Sequence, residues 1–243
     1  MKRLIYLLCA LAVSCVMIAC GGKTESKPQV IDQRGYILTT DGSSIALPAE
    51  CRQVIVVDTH TRRDCMVHTL SFDGVVWSGG CVNGVIGYGG LAPTGTKREG
   101  DGKTPVGTFA LRRGLYYVND FVTSFPMEQY NQYYIWDENP ASPTYNTLLR
   151  DPAPGTKGDR LWKHRNRQYR YIVVVEYNTE QPIPGAGSAI FIHAWRAPGK
   201  PTAGCVGMAQ SNMKRVVEWL NPALNPYIVV LPQGVHLNNV INK

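Results

Sequence analysis

Runs of apolar, β-branched and aromatic residues recur along most of the chain, separated by short clusters of Gly, Pro, Asn and Asp. This pattern predicts strands bounded by turns. The predicted strands lie at residues 54–57, 66–72, 75–77, 171–175, 189–192 and 227–231. The pattern therefore indicates a mainly β domain.

One segment has helical periodicity instead, with apolar residues spaced i, i+3, i+4 and i+7 so that they share one face. Ser211 is the expected N-cap of this helix, and Pro222 lies just beyond its expected end. The apolar positions are Met213, Val216, Val217 and Leu220.

Two long irregular segments separate the strands. Residues 87–108 contain seven glycines, and residues 125–162 are rich in Tyr, Asn, Asp and Pro. Loops of this length within a compact domain are often functional. Each segment is either part of a binding cleft or peripheral padding.

The first twenty residues have the layout of a bacterial export signal, with Lys2 and Arg3 ahead of an uncharged, largely apolar run at residues 4–19. The run is short for a membrane span, which needs ~20 apolar residues. Cys20 follows small and apolar residues and precedes two glycines, which resembles a lipobox, although Leu usually stands at the position of Met17. The prediction is a lipoprotein signal at residues 1–19 and lipidation of Cys20. An ordinary cleaved signal or an uncleaved anchor is the alternative.

Three segments follow from this interpretation: the signal at residues 1–19, a lipidated cysteine and tether at residues 20–50, and a catalytic or binding domain at residues 51–243. For residues 36–47 an arm packed on the domain is an equal alternative to a tether. The protein would then be exported and held on a bacterial membrane, on the periplasmic or outer-surface side.

Composition agrees with a folded exported domain, since 44% of the residues are hydrophobic and 18% are charged. The formal net charge of +7 falls to +5 without Lys2 and Arg3. A mildly basic exported domain suits an acidic cell-envelope polymer, and the export signal argues against a nucleic-acid partner.

The seven cysteines divide unevenly between the predicted signal, the lipidation site and the domain. Two leave with the signal, one is the predicted lipid site, and four remain in a non-cytosolic compartment, where two of them could form a disulfide. No CxxC or Cys/His pairing has zinc spacing, so no metal site is predicted. The four are Cys51, Cys65, Cys81 and Cys205.

Cys205 and His193 are the most informative candidates for a catalytic pair. A cysteine attacks carbonyls as a thiolate and needs a neighbouring base or cation. His193 ends an apolar run, and the twelve residues to Cys205 would span ~40 Å if extended, so contact requires the chain to fold back. Pro and Gly residues between them permit such a loop. The alternative is a buried cysteine after a turn and a hydrogen-bonded histidine at a strand end.

Four segments, in order along the chain, together resemble the L,D-transpeptidase (YkuD-type) catalytic domain. SAIFIHAWRAPGKPTAGCVGM at residues 188–208 is similar to the family signature, in which a histidine at a strand end is followed by a loop and a Ser/Thr-x-Gly-Cys turn. KREGDGKTPVGTFAL, YIWDENPASPTYN and RLWKHRNRQYRYIVVVEYN, which begin at Lys97, Tyr134 and Arg160, resemble further family segments. The resemblance covers roughly residues 52–231.

The resemblance implies a β-sandwich or barrel-like catalytic domain with a helix after the catalytic cysteine, and no metal or organic cofactor. Its cysteine attacks the third residue of a peptidoglycan stem peptide, expels D-alanine and forms a thioester. An amine of a neighbouring stem then gives a 3–3 cross-link. In this chain, Cys205 would be the nucleophile and His193 its base, with a ring nitrogen donating to a carbonyl near Ala194. Thr202 would stabilise the turn, and Gly204 would be a spacer and possible oxyanion donor.

The chain departs from many members at two positions, since Ala203 replaces a second histidine and Gly207 replaces an arginine. The substrate carboxylate must then be bound elsewhere, with Arg196, Lys200 and Arg98 as candidates. Trp136, Asp137, Tyr145 and Trp195 are candidates to line or cover the cleft. The remaining histidines, His60, His68, His164 and His236, are interpreted as structural or surface residues.

Three functions remain open on the sequence. The first is a lipid-anchored L,D-transpeptidase, which the resemblance implies is acylated by carbapenems. The second is a hydrolase on the same scaffold, either an L,D-carboxypeptidase or an amidase, in which water resolves the thioester. The third is a catalytically inactive module that binds the cell envelope.

Overall fold

The structure is a computed structural model that describes Ile31 and residues 35–237. The predicted signal at residues 1–19 and the lipidation site Cys20 lie outside the described residues. Among the residues that are described, no helix has the length and hydrophobicity to cross a membrane.

Sixteen strands, one α-helix and two 3-10 turns make up the described chain. The helix α1 is Gln210–Trp219, and the 3-10 turns are Leu161–His164 and Pro222–Leu224. The strands are β1 (Tyr36–Leu38), β2 (Ser44–Ala46), β3 (Gln53–Thr59), β4 (Asp64–Phe72), β5 (Trp77–Val85), β6 (Gly90–Ala92), β7 (Lys103–Pro105), β8 (Gly107–Tyr116), β9 (Met127–Gln129), β10 (Ile135–Trp136), β11 (Leu148–Leu149), β12 (Asp159–Arg160), β13 (Tyr171–Val175), β14 (Phe191–Ala194), β15 (Val206–Met208) and β16 (Pro226–Val230).

Eight of these strands form a closed sheet in the order β13, β14, β15, β5, β4, β3, β16 and β8, and β8 pairs again with β13. The β14–β15 and β3–β16 pairs are parallel, and the other pairs around the closed sheet are antiparallel. The ninth strand of the sheet, β9, pairs only with β8 and lies at its edge, and β15 pairs with β5 only at Gly84 and Val85. The mainly β, barrel-like fold with a helix after Cys205 is therefore confirmed.

Both faces of the central strands are covered, which explains why their sequences are apolar without alternation. In β3, Ile55 and Val57 face a core shared with α1, while Val54 and Val56 face a second cluster beneath the N-terminal arm. The strand β13 likewise has one face in the shared core and the other beneath residues 130–162. Cys205 lies in this third cluster, outside the barrel.

Residues 36–47 form an arm packed on the domain, which is the second of the two alternatives for this segment. The strands β1 and β2 pair as an antiparallel hairpin, and Ile37 and Leu47 are buried against Val54 and Leu237. Burying two such side chains contributes about 2 kcal/mol each. A tether through residue 50 is therefore wrong for this part of the chain.

Three local predictions also need correction. The strand predicted at residues 75–77 begins later, at Trp77. Val75 lies in the preceding turn, in which the Asp73 carboxylate accepts the N–H groups of residues 75 and 76 at 2.8 Å. The helix begins at Gln210 with Ala209 as its N-cap, not Ser211. The strand predicted at residues 189–192 begins later, at Phe191, because Ala189 has a φ of 52°, which is left-handed backbone.

Candidate active site around Cys205

Parallel pairing of β14 with β15 brings Cys205 and His193 to the same face of the sheet. His193 pairs with Gly207, and Ile192 pairs with Val206, so Cys205 stands level with Phe191, two residues from His193. Side chains alternate along strands, and Ile192 and Val206 therefore point into the barrel while Cys205 and His193 point outward. The loop between the strands supplies the fold-back that the sequence required.

The turn before Cys205 is held by Thr202, whose hydroxyl donates to the Cys205 carbonyl at 2.5 Å and accepts the Gly204 N–H at 3.2 Å. Gly204 has a φ of 146°, and a Cβ there would lie 3.0 Å from the Lys103 carbonyl oxygen. Thr202 and Gly204 are therefore turn residues. The proposed role of Gly204 as an oxyanion donor needs correction, because its N–H is already bonded to Thr202.

The Cys205 side chain is 7% exposed and has two backbone partners. Its thiol donates to the Ala189 carbonyl at 3.3 Å, and its sulfur accepts the Phe191 N–H at 3.3 Å. Burial raises the pKa of Cys205 to about 12, with Asp159 and Glu138 adding to the rise and the Phe191 N–H opposing it. Cys205 is therefore a neutral thiol in the resting protein.

His193 is also buried and neutral. Its Nδ1 lies 2.8 Å from the Ala194 carbonyl oxygen, which fixes the proton on Nδ1 and leaves Nε2 as the basic nitrogen. Burial lowers the pKa of His193 to about 4. The ring packs edge to face on Tyr169, with centroids 5.1 Å apart. In the resting state, the thiol bonds to Ala189 rather than to this imidazole.

Asn146 positions the backbone that holds the thiol. Its Oδ1 accepts the Trp136 indole N–H at 2.9 Å and the Ala189 N–H at 3.0 Å. Its Nδ2 donates to the carbonyls of Tyr177 and Asn178 at 3.1 and 2.6 Å. The buried amide thus uses both of its polar atoms, and it fixes Ala189, whose carbonyl accepts the thiol.

A pocket of about 300 Å³ contains both Cys205 and His193, and one wall of it is acidic. The wall consists of Glu99, Glu138 and Asp159. Glu99 accepts the Tyr145 hydroxyl at 2.5 Å, and Asp159 accepts the Tyr169 hydroxyl at 2.6 Å. Burial, followed by repulsion from Asp159 and Glu99, raises the pKa of Glu138 to about 7. A cationic group is the complement of this wall.

Beside the pocket lies a basic groove of about 450 Å³, which shares His164 and Gln168 with it. An anionic carboxylate is the complement of this groove. Its cationic side chains are Lys163, Arg165, Arg167 and Arg196.

A sequence model of the L,D-transpeptidase catalytic domain (YkuD) matches residues 52–229. The chain belongs to this family. The search of curated proteins and the search of solved structures return no match. Membership links the pocket to L,D-transpeptidase chemistry, which in this family is typically cysteine-dependent and acts on peptidoglycan stem peptides. The matched residues include Cys205 and His193 but not the N-terminal arm.

Two of the residues predicted for the cleft belong to the core beneath it. Trp136 is 1% exposed and packs edge to face on Phe191 at 4.9 Å. Asp137 is 2% exposed and accepts the Thr144 hydroxyl and the Asn139 N–H, so it shapes the turn that follows β10. Both assignments to the substrate cleft are therefore corrected.

The other predicted substrate residues lie in four different places. Tyr145 is buried and contacts the pocket through Glu99. Arg98 lines a different cavity and donates to the carbonyls of residues 95 and 97. Trp195 does not line the pocket, and its backbone N–H bonds to Met208. Arg196 alone of these lies where a substrate carboxylate could be bound, in the basic groove.

Sequence reasoning missed the acidic wall, Tyr169 and His164. Glu138 and Asp159 stand in the long segment at residues 125–162, and Glu99 in that at residues 87–108, so a search for carboxylates in these loops could have found them.

The domain cysteines are free thiols, and the possible disulfide among them is not formed.

Proposed function

We propose that this chain is an L,D-transpeptidase that forms 3–3 cross-links in peptidoglycan. The Cys205 sulfur would attack the carbonyl carbon of the third residue of a donor stem peptide and release the terminal D-alanine. An amine of a neighbouring stem would then displace the sulfur from the thioester. The observation that carries the proposal is the position of Cys205 and His193 on one sheet face in a single pocket.

Proton transfer in this scheme runs through His193. As the carbon–sulfur bond forms, the thiol proton passes to Nε2, the nitrogen that the Ala194 contact leaves basic. The imidazolium then protonates the departing nitrogen of D-alanine as the carbon–nitrogen bond breaks. In the second half, the acceptor amine bonds to the carbonyl carbon, loses a proton to a base, and the sulfur leaves and is reprotonated.

The acidic wall supports an amine rather than water as the acceptor. A diamino acid carries an ammonium group, which Glu99, Glu138 and Asp159 would attract into the pocket that contains Cys205. Glu138 can also accept the proton of this ammonium near neutral pH, because its pKa is raised to about 7. Water carries no net charge, so the wall would not concentrate it as it would an ammonium group. The basic groove with Arg196 is suited to the stem carboxylates.

Product analysis of the purified chain with disaccharide tetrapeptide tests the proposal. We expect dimers with 3–3 cross-links, which disappear in Cys205→Ala and persist in Cys81→Ala, a matched change at an exposed thiol. Tripeptide without dimers would favour the hydrolase alternative. Unchanged substrate would leave only the envelope-binding module.

We also propose that Cys20 carries a lipid that holds the domain on an envelope membrane. The support is the sequence of residues 1–22 alone. The wild-type chain should enter the detergent phase on phase separation of cell extracts, and Cys20→Ser should stay in the aqueous phase. Equal partition of both chains into one phase would refute lipidation at this residue.

A further inference from the structure

A second cluster of ionisable side chains lies outside the pocket, where β3 ends. It consists of Asp58 near the end of β3, His60 just after it, and His236 from the segment that follows β16. One potential ligand atom from each residue lies within 4.8 Å of the others. These residues are not part of the Cys205 pocket, and His236 lies beyond the residues that match the family.

The three side chains lie close together near the surface. Asp58 is fully buried, and its two oxygens accept the His236 Nδ1 at 2.6 Å and the Leu237 N–H at 3.0 Å. The His60 and His236 rings are parallel within 2°, with centroids 5.2 Å apart. Both rings are accessible to solvent. A buried carboxylate is thus covered by two accessible imidazoles.

We propose that Asp58, His60 and His236 bind a divalent transition-metal ion, for which Zn²⁺ is the best fit. Two imidazole nitrogens and one carboxylate oxygen are ligands that Zn²⁺ takes in proteins. Three protein ligands leave a fourth position for water. His236 is remote in sequence from Asp58 and His60, which is why ligand spacing along the chain predicted no metal site.

His68 provides an independent observation beside the cluster. It pairs with Val56 of β3, and Val56 is two residues before Asp58 in that strand. Since side chains alternate along a strand, His68 lies on the same face of the sheet as Asp58. It is 8% exposed, and its Nε2 has no partner among the described residues. A buried polar atom without a partner is costly. A metal ion at the cluster would bring its bound water close to this imidazole, and the water could form a hydrogen bond with Nε2.

The proposed ion would link the segment that follows β16 to the barrel and to the N-terminal arm. Asp58 and His60 belong to the β3 region, whereas the His236 carbonyl accepts the Thr40 N–H at 2.8 Å and Leu237 bridges to Thr39. A metal that binds only the folded chain stabilises it by mass action. The expected role is therefore structural and separate from catalysis at Cys205.

The test is a Zn²⁺ titration by calorimetry of the chelator-stripped chain, in a Cys81→Ser, Cys205→Ala background that removes two competing thiols. We expect one saturable site per chain. His60→Ala should weaken its affinity at least about tenfold, and His236→Ala should do the same, because each removes one of three ligands. His164→Ala is the matched control and should bind as the parent does, since it removes a histidine outside the cluster.

A thermal-unfolding measurement checks that the variants are folded. His60 is exposed, so the metal-free His60→Ala chain should melt as the metal-free parent does. Zn²⁺ should raise the midpoint of the parent and not that of His60→Ala. Absence of saturable binding in the parent, or undiminished binding by His60→Ala, would overturn the proposal and leave Asp58 and His236 as a hydrogen-bonded pair.

Discussion

The Cys205 thiol should react slowly with alkylating agents in the resting protein. Burial raises its pKa to about 12, against an ordinary value of 9.0. This difference of about three pH units lowers the thiolate fraction about a thousandfold at neutral pH, and the thiolate is the reactive form. His193 cannot compensate as a cation, because burial lowers its own pKa to about 4.

Iodoacetamide labelling followed by peptide mass spectrometry measures this reactivity in one sample. Cys81 is an exposed free thiol and serves as the internal reference. Between pH 6 and about 9, the Cys205 rate should rise about tenfold per pH unit without a plateau, and it should stay at least about a hundredfold below the Cys81 rate at neutral pH. In denaturant the two rates should become similar.

A plateau near neutral pH, or faster labelling of Cys205 than of Cys81, would refute this reasoning and indicate a preformed thiolate–imidazolium pair. Slow labelling alone also fits an inactive module, so acylation is measured alongside it. A carbapenem should add its mass to the native chain and not to Cys205→Ala. An unchanged mass in both chains would contradict the transpeptidase and the hydrolase proposals together.

Two further predictions concern the residues around the thiol. Glu138→Gln should lower dimer formation about tenfold, while D-alanine release continues, and dimer formation should no longer rise with pH through about 7, where the Glu138 carboxyl ionises. Glu218→Gln on α1 is the control. An unchanged dimer yield in Glu138→Gln would exclude Glu138 as the base. Asn146→Ala should lower the free energy of unfolding in urea by about 4 kcal/mol, because it removes four buried hydrogen bonds and places alanine at a φ of 59°. Asn139→Ala at an exposed turn should cost under about 1 kcal/mol, and an equally small loss for Asn146 would contradict its positioning role.

Local sequence patterns predicted the strands, but they did not predict which side chains lie together on one face of the sheet. The apolar run at residues 171–175 matches β13, since a short β-branched run has few other stable conformations. The parallel pairing of β14 with β15 depends instead on a long loop and on the closure of the whole sheet. Spacing could therefore name Cys205 and His193 as a pair, but it could not show that they share a face.

The positions of aromatic and acidic side chains in the long segments were harder to predict. Trp136 and Asp137 stand beside Glu138 in the sequence, yet the first two are core residues and the third lines the pocket. Periodicity does not decide such cases, because the segment is mostly irregular and each side chain follows its local turn. The hydrogen bonds of Asn146 set these turns, and they reach residues more than 30 positions away.

In the proposed mechanism, the acidic wall would connect substrate binding to activation of Cys205. Burial is the main cause of the raised pKa of Cys205, and Asp159 and Glu138 add to it, so these carboxylates disfavour the thiolate further. The ammonium of a stem diamino acid would approach this wall when the stem enters the pocket. Neutralising the carboxylates removes their contribution to the raised pKa and favours loss of the thiol proton to His193. A cationic substrate would thus remove the part of this raised pKa that the carboxylates cause, while burial sets the rest.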